Sequence, residues 1–282
     1  MNTNSTDSGK NPLRLLSPVL RARDFHLYLE GGRRLVDLWQ MGGKAVLGHK
    51  PSRSVSELKN VAERGLFAPL PHPAEQRFLK ALARLFRRED NRFSFRIYEN
   101  DSSLLKSLEN SGFIGEKITV WRPFDGKENF SSAFFKPILP WAFSPSVLAI
   151  NLSAGILTNE KIPQGDLLSP AILAPAARTV YDLLAAGEYG GRPRFPRIEK
   201  ALASSAWSRS GIYLTFNSAV SINWPDLWNR FLEQGFLLPP SPSEPLILPA
   251  ILSQGEETKL AELLNEKDYP RISTTVGAAG SE

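Results

Sequence analysis

The chain of 282 residues has no cysteine, three histidines and two methionines. Without thiols it can form no disulfide, no thiolate metal site and no cysteine nucleophile. His26, His49 and His72 share no metal-like spacing, so no metal centre is expected. No apolar run reaches the ~18 to 20 residues of a membrane span. The opening residues, MNTNSTDSGKNP, are polar where a secretory signal would be apolar. The expectation is a cytoplasmic protein that does not enter a membrane. Neither a Gly-x-Ser-x-Gly elbow nor a P-loop occurs, so two common enzyme signatures are missing.

What is present reads as an ordinary globular chain, with 42% hydrophobic and 22% charged residues and 22 prolines that call for many loops. The net charge of +5 invites a nucleic-acid reading, but the basic residues are spread out. The one dense group, Arg84, Arg87, Arg88, Arg92 and Arg96, is interrupted by Glu89 and Asp90. No nucleic-acid motif accompanies it, and a solvated helix end is the default reading. The six tryptophans, Trp39, Trp121, Trp141 and Trp228 among them, are expected as core and interface anchors. Asp37, Asp125 and Asp166 are dispersed, with turn or capping roles as their default.

Along the chain, Leu27 to Leu29 and Leu35 to Leu38 flank Glu30-Gly31-Gly32-Arg33, a glycine pair between apolar runs that predicts a β-hairpin. A loop with little side-chain bulk follows, through Gly42-Gly43 and Gly48-His49-Lys50-Pro51. Ser54 with Glu57 three residues later predicts a capped helix over 54–65, and a second helix is predicted over 73–86. FSFRIYEN, SSLLKSLENSG and KITVWRPF read as strand, helix, strand, which suggests a βαβ unit and a parallel sheet. Further strands are predicted in SVLAINLS, GIYLTFN and LILPAIL, and helices over 170–186, 198–207 and 224–234. Residues 1–12 and 273–282 are expected to be disordered.

Tyr28, Leu29, Gly32, Arg33, Asp37, Gly43, Leu47, Gly48, His49 and Pro51 fall on a pattern that resembles the N-terminal small-domain segment of class III aminotransferases, pyridoxal-phosphate enzymes of fold type I. Two departures stand out: Glu30-Gly31 stands where the family tends to have an acid before its Asp-Gly turn, and Lys50-Pro51 has one residue fewer than its His-Pro spacing. Near the other end Leu232, Gly235, Pro240, Ser241, Glu244, Ser253, Glu256 and Glu257 resemble the same family's C-terminal small domain. The order and spacing of the two ends agree with one family.

The resemblance implies a reduced fold-type-I α/β architecture: a mixed or parallel central sheet with helices, plus a small α+β domain from both chain ends. It divides the chain into 13–92 (N-terminal part of the small domain), 93–190 (shortened central domain) and 191–272 (C-terminal part of the small domain). Asn100, Ser102 and Ser103 then stand at the helix start that holds the cofactor phosphate. Phe124 is the only stacking partner for a pyridine, and Trp39, Gly43 and His49 form a substrate-side loop. Asp101 puts an anion where the phosphate belongs.

The family's aspartate for the pyridinium nitrogen and its Schiff-base lysine fall in a stretch this chain lacks, leaving Lys136 and Lys161 as candidates and Lys136 as the catalytic choice. Two functions follow. One is a divergent protein without transaminase activity that binds a small anionic or amino-acid-like ligand or a partner. The other is an active pyridoxal-phosphate aminotransferase or aminomutase. The residues favour the first, with the cofactor lost. The resemblance also implies a homodimer that buries some of the tryptophans.

Overall fold

The computed structural model describes residues 11–87, 92–113, 115–126, 130–154, 162–188, 194–217 and 223–265. Lys161 and most of the two expected disordered ends lie outside them, although Pro12 already opens a 3-10 helix, Pro12–Leu15.

Strands β1 (Val19–Arg23), β2 (His26–Leu29) and β3 (Arg34–Asp37) form an antiparallel meander. Between β2 and β3, Gly31 and Gly32 both take φ +81°, a conformation that glycine adopts without steric cost. The C-terminal part of the chain returns to this sheet. Helix α6 (Trp224–Glu233) ends at Gly235, and β10 (Phe236–Leu237) pairs in parallel with β3. Beside it lie a three-stranded sheet, in the order β11 (Leu246–Ile247), β9 (Tyr213–Phe216), β8 (Trp207–Ser210), and helices α5 (Pro196–Leu202) and α7 (Gln254–Leu264). Both chain ends share one core, in which Leu35 and Leu38 meet Trp228, Phe231, Phe236, Ile247 and Leu260.

The central sheet contains β4 (Phe93–Tyr98), β5 (Ile118–Trp121), β6 (Phe134–Pro137) and β7 (Ser146–Asn151) in the order β4-β7-β6-β5. Helix α3 (Asp101–Asn110) connects β4 to β5. These two strands run the same way but occupy opposite edges, because β7 enters antiparallel to both β4 and β6. The sheet is therefore mixed, and the expected parallel βαβ pairing is corrected. The cause lies in β7. Val147, Leu148, Ala149 and Ile150 are all fully buried, and a strand apolar on both faces belongs in the middle of a sheet.

Alternate β7 residues face opposite layers. Leu148 and Ile150 meet Leu104 and Leu108 of α3, whereas Val147 joins the core of α1 (Ser52–Glu63), α2 (Pro73–Leu85) and α4 (Pro170–Glu188). Thus α1 and α2, read from sequence as part of the 13–92 unit, bury Val61, Phe78 and Leu82 against Ala177 and Val180 of α4.

Two local expectations change. Helix α1 starts at Ser52 after Pro51, and Ser54 is buried, 2.7 Å from the Thr179 hydroxyl on α4, instead of capping. Trp207 opens β8 instead of ending a helix, packing edge-on against Phe216 at 4.9 Å. Four tryptophans, Trp141, Trp207, Trp224 and Trp228, are already buried within the single chain, so a dimer is not needed to cover them. No helix among the described residues is long and apolar enough to cross a membrane.

Candidate functional site

The residues assigned to phosphate binding gather where β4 passes into α3. Asn100 has extended backbone angles and its side-chain oxygen accepts the Ser103 N–H at 3.0 Å, an N-cap that satisfies one of the helix's free donors. Ser102 is exposed and Ser103 half-buried in the first turn. Asp101, at the first helical position, accepts hydrogen bonds from Lys136 Nζ at 2.6 Å and from the Ser146 hydroxyl. Burial alone would raise the Asp101 carboxyl. Hydrogen bonds from Lys136 and Ser146 and the charges of Lys136 and Lys44 outweigh it and hold the group below its ordinary value. Lys136 sits within β6, opposite Val120 of β5, and its side chain reaches α3 from there. The structure thus brings Asn100, Asp101 and Lys136 to one place.

Phe124 is elsewhere. It has φ +62° and packs, half-buried, on the core shared by the chain ends. Its carbonyl lies against Gly211 so tightly that a Cβ there would sit 1.8 Å from the oxygen. Next to it the Tyr213 hydroxyl donates to Pro123 O at 2.9 Å, and the Ser210 hydroxyl donates to Asp125. Burial pushes the Tyr213 phenol far above its ordinary value, with the Arg122 charge opposing and the Asp125 charge adding to it. On the other side Gly43, at φ +108°, lets Ile138 and Ile247 close in. A Cβ at 43 would stand 3.2 Å from Ile138 Cγ2. The turn after β5, the end of β6 and the β8–β9 hairpin are therefore in direct contact.

The loop from Trp39 to His49 is organised by a buried carboxylate. Asp37 Oδ1 accepts the N–H groups of Trp39 at 2.8 Å and Gln40 at 2.9 Å, and Oδ2 lies 2.8 Å from His49 Nε2. Only 1% of the Asp37 side chain is exposed, so these bonds are what make its charge tolerable. Trp39 Nε1 donates to Glu244 at 2.8 Å, and the His49 N–H donates to Asp24 O at 2.8 Å. Two cavities flank His49 and Met41. One of about 470 Å³ is lined by Leu13, Leu16, Val19, Asp37, Trp39 and Leu237. The other, about 210 Å³, lies against Lys44, Val55, Leu58, Trp141 and Phe143. Neither is lined by Asn100, Ser102, Ser103, Phe124 or Lys136.

Sequence reasoning named Asp37 and His49 separately and missed their pairing. The twelve-residue spacing carried no local signal, because Gln40 and Met41 turn the chain back with positive φ angles that no glycine announces. It named Glu256 but missed its partners: Glu256 closes a capping box with Ser253 on α7 and accepts from both His26 and Arg34 at 2.9 and 2.8 Å. Among the described residues no group of three or more His, Asp or Glu side chains could hold a metal ion.

No protein-family model matches the chain. Two uncharacterized proteins are similar in sequence. One, from Treponema pallidum, is 26% identical over 285 residues, covering 85% of this chain and 91% of its own length. The other, from Borreliella burgdorferi, is 23% identical over 260 residues, covering 86% and 87%. Among solved structures, ornithine δ-aminotransferase of Plasmodium falciparum superposes with a TM-score of 0.65 at 11% identity, over 93% of this chain and 94% of that one. Acetylornithine aminotransferase of Elizabethkingia anophelis gives 0.62 at 11% identity over 93% and 95%. An omega-transaminase of Sphaerobacter thermophilus gives 0.64 at 8% identity over 88% and 89%. The chain has the α/β fold of the fold-type-I pyridoxal-phosphate transferases, with a mixed central sheet and a smaller part built from both chain ends.

Proposed function

We propose that this protein uses an aminotransferase fold without transaminase chemistry, as a cytoplasmic binding protein for a small ligand or partner. The observation that carries the reading is the Asp101–Lys136–Ser146 contact at the start of α3. A helix N-terminus attracts phosphate through free N–H groups and its positive dipole end. Here the cap of Asn100 takes up the Ser103 N–H, and the Asp101 carboxylate supplies the anion that the dipole favours. A second anion would meet repulsion, so these residues do not fit the phosphate of pyridoxal phosphate. Lys136 is held as the partner of that carboxylate, and an amine so engaged is no free nucleophile. The contacts of Gly43 with Ile138 and of Phe124 with Gly211 further support a filled cleft.

One observation favours the alternative of an active pyridoxal-phosphate enzyme acting on an amino-group substrate. Lys136 does reach the start of α3, where such an enzyme would need it. The test is a titration of the purified protein with pyridoxal phosphate, recording the visible spectrum before and after borohydride. The expected result is no reducible band at millimolar cofactor. A reducible band that disappears in Lys136→Ala would sink the non-catalytic reading. The assembly we propose is a homodimer, for which the exposed Leu15, Val19 and Leu20 at and beside β1, an edge strand among the described residues, offer an apolar surface.

A further inference from the structure

The Asp37–His49 pair is closed at one end and open at the other. Asp37 Oδ1 accepts the N–H groups of Trp39 and Gln40, and Oδ2 accepts His49 Nε2–H. A carboxylate only accepts, so the proton of the neutral ring sits on Nε2 and Nδ1 is left as an acceptor. That Nδ1 has no hydrogen-bond partner among the described residues. Nor is it one of the fully buried unpartnered atoms there, which are Gln40 Oε1, Arg122 Nε and Trp141 Nε1, so it keeps access to open space. Of the two cavities beside His49, the larger, about 470 Å³, is lined by both members of the pair, the smaller by His49 without Asp37. The larger volume falls among small-molecule pockets, which span roughly 300 to 1,000 Å³. Leu13, Leu16, Val19, Leu27, Met41 and Leu237 make most of its wall apolar. The Trp39 indole N–H is already taken by Glu244, and the exposed Ser17 has a hydroxyl without a partner among the described residues.

No lysine or arginine lines this cavity, and the Asp37 charge stands on its wall, so an anion would meet repulsion with no cation to answer it. An ammonium fares little better. Both Asp37 oxygens are engaged and only 1% of that side chain is exposed, while the apolar wall makes a charge costly to strip of water. What fits is a neutral molecule with an apolar body and one donor for an imidazole nitrogen. We infer that the larger cavity binds a small neutral hydroxyl compound whose O–H donates to His49 Nδ1. Its hydrocarbon part lies against Leu13, Leu16, Leu27 and Leu237, and the Ser17 hydroxyl is free to donate to the same oxygen. Asp37 is a positioning residue here: it fixes the ring and holds its proton on Nε2. The inference rests on the reading of a non-catalytic binding protein and names its ligand class, at a place separate from the start of α3.

The experiment uses the full chain with phenol as probe, anisole as a counterpart of similar size without the O–H, and benzoate as the anion, all read by calorimetry. Wild-type protein should bind phenol saturably at millimolar concentration and benzoate not measurably. Anisole should bind roughly tenfold more weakly than phenol, the share of one hydrogen bond. His49→Gln keeps a side-chain N–H for Asp37 and removes Nδ1, so it should bring phenol down to the level of anisole and leave anisole unchanged. Ser17→Trp, at an exposed position of this wall, should block both, whereas Phe143→Ala on the smaller cavity should change neither. With three histidines in the chain the ring nitrogen resonances can be told apart, and His49 Nδ1 should move on adding phenol. No saturable phenol binding by wild type would overturn the inference. So would equal affinity for anisole, tighter binding of benzoate, or an equal loss of phenol and anisole in His49→Gln. Should circular dichroism show that His49→Gln does not fold, a wild-type Nδ1 resonance unmoved by phenol overturns the inference in its place. Loss of phenol in Phe143→Ala with none in Ser17→Trp would put the ligand in the smaller cavity and refute the site. The pyridoxal-phosphate titration reads the start of α3 separately. A reducible band there would sink the non-catalytic reading while the phenol data still decide the cavity.

Discussion

Replacing Gly211 with alanine would drive a methyl group into the contact between the β8–β9 hairpin and the turn after β5. The new Cβ would lie 1.8 Å from Phe124 O and 2.9 Å from Gly126 N, at a backbone φ of +58°. Both obstacles are backbone, so no side-chain rotation relieves them. The hairpin must move away from the turn, which breaks the Tyr213–Pro123 and Ser210–Asp125 hydrogen bonds and leaves a buried phenol without its acceptor. The left-handed backbone costs roughly 1 kcal/mol for a residue with a Cβ. Two lost hydrogen bonds and the exposed contact add roughly 2 to 4 kcal/mol. The total is about 3 to 5 kcal/mol, with a fall in Tm of roughly 10 °C.

Gly32→Ala is the matched control, since it has φ +81° and nothing within 4 Å of its Cβ, so it carries the backbone term alone. Urea unfolding followed by tryptophan fluorescence should separate the two variants by about 2 kcal/mol or more. Hydrogen exchange should show increased opening at residues 122–126 in Gly211→Ala only. If the two variants unfold at the same urea concentration, the contact is not what holds hairpin and turn together, and the argument for a filled cleft loses its second support.

Two further outcomes follow from the paired carboxylates Asp101 and Asp37. Asp101→Asn should destabilise by about 1 kcal/mol, since its side chain is 58% exposed and pairs of that kind are worth little. Because the folded-state pKa of Asp101 is lowered, its contribution is present above the unfolded value near 4 and is lost as pH falls through the folded value, so the gap from wild type should close in acid titrations below about pH 4. A gap that widened in acid would contradict the pairing. Asp37→Ala should cost about 3 to 5 kcal/mol by stranding the N–H groups of Trp39 and Gln40 together with His49, whereas Asp37→Asn keeps an acceptor and should cost about 2 kcal/mol less in the same urea assay.

Much of the fold was legible where neighbouring residues decide it. The Gly31-Gly32 turn, the apolar strands and the helix closed by Gly235 stand where their local chemistry predicts. The anion at the start of α3 was legible too, because Asp101 follows a capping Asn100 directly in sequence. Ser54 shows where the local rule fails: the same serine that would cap a helix forms a buried hydrogen bond with Thr179, 125 residues away, and that contact exists only once α1 lies on α4. Strand order escaped for a similar reason. The segment from β4 to β5 contains nothing to say that β7 will enter between them.

By itself the sequence determined where most helices and several of the strands form, that both chain ends resemble one family's small domain, and that a carboxylate opens α3. Those are properties of side chains and their near neighbours. Only the tertiary structure decided that Lys136 answers Asp101, that Asp37 holds His49, and that Gly211 admits Phe124. Each of these depends on sheet register and on packing between residues distant in sequence, where the free energy belongs to the pair and neither residue carries it alone.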